Sequence, residues 1–268
     1  MTQTRIIETI ATSLREVPEI RALFLSGSHG TGFDDAYSDI DFILVTEDGA
    51  TDQIAAHWRQ AIKETGEIVL WWDRTTRPML INAITSDWTR TDVVILKPDQ
   101  LGFHTRDQLK PLFDHDRLYE TLTASRAPQP PNPKHLQYQI EEFIRILGLL
   151  PLAVGREEYL NGVLGIFHLR NALVDLMIQE TAAPHRGGLL HLNRLITPEQ
   201  KAELEALPPP IPEKQAMIDG HVAYAKAYLP RARKIAKACN VDWPARFEDV
   251  TWDNLEKTLR ITRPQLTR

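Results

Sequence analysis

Residues 23–45, LFLSGSHGTGFDDAYSDIDFILV, contain two apolar runs joined by a polar connection that is rich in small residues. The first run leads into the pair Gly27-Ser28, and the second opens on Asp39 and Asp41 with one apolar residue between them. Because side chains alternate along a strand, the two carboxylates project from the same face, about 6 to 7 Å apart along the backbone. Two acids so placed can share a divalent metal ion, and Mg²⁺ binds to carboxylates together with phosphate and water.

Aspartate is depleted in strands, so two aspartates at alternate positions before an apolar run conflict with local propensity. Conflicts of this kind are expected at functional sites. The alternative is that both acids mark the solvent-exposed start of a strand, with Ser38 and Asp39 as turn residues. The Gly-Ser pair upstream favours the functional interpretation, because glycine lets a ligand approach the backbone closely.

The Gly-Ser turn predicts a phosphate-binding site. Gly27 permits close approach of a ligand, and Ser28 offers a hydroxyl and the first free amide groups of a following short helix. His29 follows directly and either contacts phosphate or orients Ser28. Taken alone, the same residues also fit an ordinary surface turn with a solvated histidine.

A third acid, Asp92, opens the apolar run at residues 93–96. If its strand lies beside the strand of the first two acids, its carboxylate either ligates the metal or accepts the proton of an attacking hydroxyl as a general base. Asp92 can equally cap a strand, and Asp87 is a nearby competitor for either role.

The secondary-structure pattern of the chain changes at the proline-rich segment 128–133. This segment predicts an extended linker, because proline fixes φ and removes a backbone donor. Before it, β-like runs mix with helical patterns, and after it only helical patterns remain. The sequence therefore predicts an α+β protein with an N-terminal domain at 1–127 and a C-terminal helical bundle with an extension at 134–268. Strands are predicted at 23–25, 41–45, 68–72, 80–84 and 93–96. Helices are predicted at 4–16, 52–64, 133–150, 156–180, 198–207 and 213–239. Pro230 lies in the last of these helices and predicts a kink or a break there.

The 268 residues carry a formal net charge of −5, so bulk electrostatics disfavours binding to an extended nucleic acid. A basic cluster at Arg231, Arg233, Lys234 and Lys237 is either a phosphate contact or, as charge runs usually are, the solvated face of a helix. The segment 185–188, with a histidine and an arginine, is either a phosphate-contacting loop or the turn that ends a helix.

Cys239 is the single cysteine, which excludes an internal disulfide framework and a cysteine-rich zinc site. No apolar run reaches the length of a membrane helix, and residues 1–8 lack the features of a secretory signal. The sequence predicts a cytoplasmic protein with no membrane partner, either a monomer or a homodimer.

The Gly-Ser turn, the Asp39-Ile40-Asp41 strand and the later Asp92 strand resemble the nucleotidyltransferase superfamily, which has a catalytic core of the DNA polymerase beta type. The resemblance implies a mixed sheet flanked by helices. By motif position, it implies that Gly27 and Ser28 bind nucleotide phosphates and that the three acids hold Mg²⁺.

A compact catalytic domain followed by a helical bundle resembles the bacterial branch that modifies aminoglycoside or lincosamide antibiotics. This resemblance implies that an acceptor enters between the two domains and that a carboxylate on the first bundle helix, Glu142 or its neighbour Glu141, activates the acceptor. Exposed glutamates near a helix N-terminus are also favoured by the helix dipole, so the alternative is a purely structural role.

The resulting hypothesis is a Mg²⁺-dependent enzyme that transfers a nucleoside monophosphate, AMP from ATP or the equivalent group from another nucleoside triphosphate, to a hydroxyl of a small molecule and releases pyrophosphate. An antibiotic is one candidate acceptor. Two alternatives stay open: adenylation of a partner protein, as in some toxin–antitoxin pairs, and a nucleotide-binding regulatory module without catalysis.

Overall fold

Six β-strands form one sheet in the N-terminal half of the protein. The computed structural model describes residues 1–49, 51–74, 79–127, 131–181 and 191–264. The chain divides into two units, Met1–Ala127 and Pro128–Arg268. The sheet lies in the first unit, and the described residues of the second unit form helices and the segments that join them. The α+β class predicted from the sequence is therefore confirmed.

The strands are β1 (Ile20–Leu25), β2 (Ile40–Thr46), β3 (Ile68–Arg74), β4 (Met79–Thr85), β5 (Arg90–Leu96) and β6 (Lys110–Asp114). They form a mixed sheet with the order β3-β4-β5-β2-β1-β6. Its central strands β2 and β5 are parallel, and the other neighbouring pairs are antiparallel. The last strand, β6, was not predicted, because it is short and contains Pro111. Proline is tolerated there since β6 lies at an edge of the sheet.

Two helices cover one face of the sheet. Helices α1 (Gln3–Arg15) and α3 (Asp52–Lys63) bury their apolar sides in the main core of the first unit. Ile40 and Phe42 of β2 lie in the same core, and the Phe42 ring meets Trp58 edge-on with ring centroids 5.1 Å apart. Because side chains alternate, the aspartate between Ile40 and Phe42 faces the opposite side of the sheet.

A smaller apolar cluster lies on that opposite side. Phe24 and Ile43 pack there with Leu101, Leu109 and Leu122, which belong to the chain on either side of β6. The first unit also contains the short helices α2 (Gly27–Thr31) and α4 (Leu118–Thr121) and two 3-10 helices, Pro98–Phe103 and Arg106–Gln108. The central strands are thus buried on both faces, as parallel strands usually are.

The second unit is built around one apolar core. Its first helix begins where Asn132 accepts hydrogen bonds from the amides of Lys134 and His135. In the core, Phe143 stacks on Tyr228 with centroids 3.8 Å apart. No described helix is long and apolar enough to cross a membrane. The helices are α5 (Pro133–Gly148), α6 (Leu150–Gly155), α7 (Tyr159–Thr181), α8 (Leu192–Leu195), α9 (Pro198–Ala206), α10 (Lys214–Ala238) and α11 (Ala245–Leu259).

Three details of the second unit differ from the sequence prediction. The helix expected to reach residue 150 ends at Gly148, because Pro151 lies in the first turn of the next helix. Helix α10 continues through Pro230, so Pro230 does not divide the helix, and the alternative prediction of a kink stays a prediction. Helix α11 was not predicted, and its Trp252 and Leu255 are buried in the core.

The two arginines of the basic cluster on α10 are paired with acids. Arg231 contacts Glu180 and Glu203, and Arg233 contacts Glu248. These ion pairs join α10 to other helices, and so assign a structural role to both arginines. Segment 185–188 and residues 128–130 of the predicted linker lie outside the described residues.

Glu248 is the most buried carboxylate of the helical unit, with 1% of its surface exposed. It accepts hydrogen bonds from Arg233 and, at 2.7 Å, from Trp243 Nε1, and it lies 2.8 Å from Arg263. Loss of its charge leaves these donors poorly satisfied, so Glu248→Gln is expected to lower the free energy of unfolding by about 1–3 kcal/mol. Chemical denaturation monitored by circular dichroism measures the change.

The neighbouring Asp249 is the matched control, because it pairs with the same Arg263 but is half exposed at its side chain. Asp249→Asn is expected to change the unfolding free energy by less than about 1 kcal/mol. Equal effects of the two substitutions would contradict the structural role assigned to Glu248.

Candidate metal and phosphate site

Three carboxylates meet at the N-terminal ends of the two central strands, β2 and β5. The parallel pairing of β2 with β5 places Asp41 directly beside Asp92, and Asp39 lies one residue before β2 begins. One oxygen from each carboxylate lies within 4.8 Å of the others, and all three residues are partly buried. The structure therefore brings together the three acids that the sequence singled out, in an arrangement that suits a divalent cation. Their role as metal ligands stays a prediction.

The cluster is electrostatically unfavourable without a cation. Burial, followed by the charges of Asp39 and Asp92, raises the pKa of Asp41 to about 6, although Arg90 opposes the shift. Burial also raises the pKa of Asp92, against a hydrogen bond from Asn82. A bound cation would remove this repulsion, so metal binding and proton binding compete at the site.

Two further residues support the acids and were not assigned a role from the sequence. Arg90 lies 3.7 Å from Asp39 and donates a hydrogen bond to the carbonyl of Tyr37. Asn82 faces Asp92 across the β4–β5 pairing and hydrogen-bonds to it. In the sequence, Asn82 stands out as a polar residue within the apolar run of β4. This signal alone does not indicate a site, because it does not show that β5 and Asp92 lie beside β4.

Gly27 lies in the turn that follows β1, and this turn packs against Asp41 of the cluster. Its φ is +56°, and a Cβ at this position would lie 1.9 Å from Oδ2 of Asp41. The amide of Ser26 donates a 2.9 Å hydrogen bond to the carbonyl of Asp41. Only glycine fits here, which places the bare backbone of the turn against a metal-binding candidate.

Ser28 and His29 carry polar atoms that lack a partner within the described part of the chain. Ser28 Oγ and His29 Nε2 are both buried. The other ring nitrogen of His29 lies 3.5 Å from Asp34, and burial lowers the pKa of the ring. Buried polar groups are normally satisfied, so both atoms fit hydrogen bonds to a bound group such as a phosphate.

The remaining candidate acids, Asp87 and Glu142, belong to other elements of the chain. Asp87 accepts a 2.6 Å hydrogen bond from Thr85 and is outside the cluster. Glu142 lies on α5 in the second unit, where Arg145 donates two hydrogen bonds of 2.6 Å to it and lowers its pKa. The catalytic role of Glu142 stays a prediction.

Comparisons with known proteins give matches at the level of structure. No protein-family model matches the chain, and neither does any curated protein. An aminoglycoside 6-adenyltransferase from Bacillus subtilis is similar over 92% of this chain and 95% of its own, with 12% identity and a TM-score of 0.44. A nucleotidyltransferase-like protein from Exiguobacterium sibiricum is similar over 96% and 88%, with 12% identity and a TM-score of 0.36.

A CCA-adding enzyme is also similar, over 96% of this chain and 69% of its own, with 10% identity and a TM-score of 0.35. What these proteins act on is a property of those proteins. The chemistry that this chain can support depends on its own residues, above all on the three acids, the Gly27 turn and the buried polar atoms of Ser28 and His29.

The raised pKa of Asp41 predicts that its charge destabilises the metal-free fold. Between about pH 4 and pH 6 the folded chain keeps a proton that the unfolded chain has lost, so stability falls as pH rises through this window. Asp41→Asn removes the repulsion and is expected to raise the unfolding free energy by on the order of 1 kcal/mol above pH 6, with no gain below pH 4. Denaturation in a chelator at several pH values measures this.

The control for this prediction is Asp87→Asn. The hydrogen bond from Thr85 lowers the pKa of Asp87, so its charge stabilises the fold and its neutralisation should lower stability. A loss of stability in Asp41→Asn at pH 8 would show that the cluster is not under electrostatic strain.

The close contact of Gly27 with Asp41 predicts the effect of adding one methyl group. Gly27→Ala is expected to displace the Asp41 carboxylate and to abolish binding of Mn²⁺, used as a spectroscopic substitute for Mg²⁺. Gly32→Ala is the matched control, because Gly32 also has a positive φ, +73°, but a Cβ there meets open space.

Both substitutions incur the backbone cost of about 1–2 kcal/mol, and only Gly27→Ala should lose the metal. Electron paramagnetic resonance titration distinguishes them. Retained Mn²⁺ affinity in Gly27→Ala would separate the turn from the metal site.

Proposed function

We propose that the chain is a Mg²⁺-dependent nucleotidyltransferase that moves AMP from ATP to a hydroxyl of a small molecule. The observation that carries the proposal is the convergence of three partly buried carboxylates on a glycine turn that bears unpartnered polar atoms. Carboxylates alone fit many cations. A metal-bound polyphosphate also needs hydrogen-bond donors for its oxygens. The adjacent turn offers accessible backbone at Gly27 and buried polar atoms without a partner at Ser28 and His29.

The proposal gives each residue a task. Asp39, Asp41 and Asp92 would hold Mg²⁺, which when bound neutralises phosphate oxygens and orients the α-phosphate. Gly27 gives the triphosphate access to the backbone, while Ser28 Oγ and His29 Nε2 donate hydrogen bonds to its oxygens. His29 is suited to a neutral donor role because burial lowers the pKa of its ring.

The reaction forms one bond and breaks one. The acceptor hydroxyl oxygen attacks the α-phosphorus, and the bond to the bridging oxygen breaks in line with it, so that pyrophosphate leaves. The hydroxyl proton passes to a base. Asp92 is the candidate in the first unit, because burial raises its pKa and thus its affinity for a proton. Glu142 is a weaker base while Arg145 lowers its pKa.

The acceptor class is the open part of the proposal. An antibiotic with free hydroxyl groups is one candidate, and other polyhydroxylated metabolites are equally compatible with the acids. A protein acceptor or a purely regulatory nucleotide site would use the same metal-binding residues and differ only in the product.

Pyrophosphate release tests the reaction. The purified protein, incubated with Mg²⁺, each nucleoside triphosphate and a panel of hydroxylated compounds, is expected to release pyrophosphate with ATP and at least one acceptor. Replacing any one of Asp39, Asp41 and Asp92 by Asn should lower the rate by at least about a hundredfold. Asp87→Asn is the control and should retain the rate, since Asp87 lies outside the cluster.

The alternatives give different readouts. Transfer of label from ATP into a protein in lysate would favour a protein acceptor, and tight nucleotide binding without release of pyrophosphate would favour a regulatory module. Full activity in the Asn variants, or no Mg²⁺-dependent nucleotide binding by calorimetry, would overturn the proposal.

A further inference from the structure

Two large aromatic side chains are exposed beside the carboxylate cluster. Tyr37 is 88% exposed and Trp88 is 75% exposed. Strands β2 and β5 are parallel, with Ile40 paired to Thr91, and each aromatic residue precedes its strand's paired residue by three positions. The two residues therefore lie at the same end of neighbouring strands, which is the end that carries the acids.

Hydrogen bonds hold the backbone of both residues in place. Arg90 donates a 2.9 Å hydrogen bond to the carbonyl of Tyr37 and lies 3.7 Å from Asp39. One side chain thus links the Tyr37 segment to the start of β5 and to the cluster. The amide of Trp88 donates a 2.8 Å hydrogen bond to the carbonyl of Thr85. Both rings are therefore presented to solvent from a fixed backbone, which lowers the entropy cost of packing a ligand on them.

Trp88 conflicts with its local structure in two ways. Its φ is +61°, in the left-handed region that favours glycine or asparagine and is costly for a bulky side chain. Its large ring is also exposed, so the fold gains little from burying it. Conflicts between a residue and its local structure are expected at functional sites.

The position of the two residues suits the base of a nucleotide, and this inference rests on the proposed function. Tyr37 comes two residues before Asp39, so their Cα atoms lie no more than about 7 Å apart. Trp88 comes four residues before Asp92, which limits that separation to about 14 Å. In the proposed complex the α-phosphate lies at the acids, and only the ribose separates it from the base. The base therefore lies within reach of the two rings.

Stacking on these rings does not depend on the charges around the site. A purine base is neutral, and Arg90 is already paired with Asp39. The acids and the triphosphate interact with the metal ion in the proposed complex, and the base takes no part in that charge balance. Within the described part of the chain, neither Tyr37 nor Trp88 packs on another aromatic ring. A ligand does not have to displace a ring that already covers them.

We propose that Tyr37 and Trp88 bind the base of the nucleoside triphosphate by stacking, and that the protein therefore prefers purine donors. Base–aromatic stacking tolerates different bases, because every base has a π-face. The larger purine ring offers more contact area than a pyrimidine. ATP and GTP are thus both expected to bind more tightly than CTP and UTP.

Calorimetry with two ligands separates the base from the phosphates. The ligands are α,β-methylene-ATP, a donor that cannot release pyrophosphate, and inorganic tripolyphosphate, both with saturating Mg²⁺. The protein is expected to bind the ATP analogue about tenfold more tightly than tripolyphosphate. Trp88→Ala and Tyr37→Ala should each weaken binding of the ATP analogue about five- to tenfold and leave tripolyphosphate binding unchanged. Trp88→Phe, which keeps a ring, should restore most of the affinity.

Trp88→Gly separates binding from folding. Glycine suits a φ of +61°, so this variant is expected to melt at the same or a higher temperature and still to bind the ATP analogue about tenfold more weakly. Phe103→Ala is the matched control and should leave both affinities unchanged. Phe103 is also exposed, but it lies in the 3-10 helix that follows β5, at the opposite end of that strand from Asp92.

Equal affinity of the unmodified protein for the two ligands would overturn the inference, as would tighter binding of UTP than of ATP. Unchanged affinity for the ATP analogue in either Trp88→Gly or Tyr37→Ala, with the variant folded by circular dichroism, would overturn it as well. So would an equal loss of affinity for tripolyphosphate. These outcomes leave the proposed function intact. Failure of the unmodified protein to bind either ligand in the presence of Mg²⁺ would instead remove the proposed function, and the base site with it.

Discussion

The in-register pairing of Asp41 with Asp92 is the constraint on which the rest of the site depends. Parallel strands hold the two carboxylates side by side, and their repulsion opposes the pairing. Ile40 and Phe42 alternate to the other side of β2 and are fully buried. Burial of one such side chain contributes about 1.5–3 kcal/mol, which is the same order as the cost of crowding the acids. Burial of the apolar face of β2 therefore offsets the repulsion between the carboxylates on its other face.

The sequence predicted this part of the molecule well, because local signals and global fold agree there. Apolar runs marked the five longer strands, and aspartates in a strand stood out against local propensity. Glycine before serine marked the turn that lies against Asp41.

Features that depend on neighbours were not predictable in the same way. Asn82 and Arg90 gain their meaning from the strand order, which places β4 beside β5 and Asp39 beside Arg90. Strand β6 is short and contains a proline, and its pairing with β1 is a long-range contact. Helix α10 tolerates Pro230 because the core packs against the helix on both sides of it, at Leu229 before it and Ala232 after it.

The strained carboxylate cluster also makes the protein a thermodynamic reporter of its own ligands. A cation that binds the folded chain alone stabilises it in proportion to the logarithm of its concentration over its dissociation constant. Melting temperature would then rise with metal even when no reaction occurs. Under the proposed function, a thermal-shift screen for acceptors therefore starts from saturating metal and nucleotide, so that any further rise in melting temperature reports the acceptor.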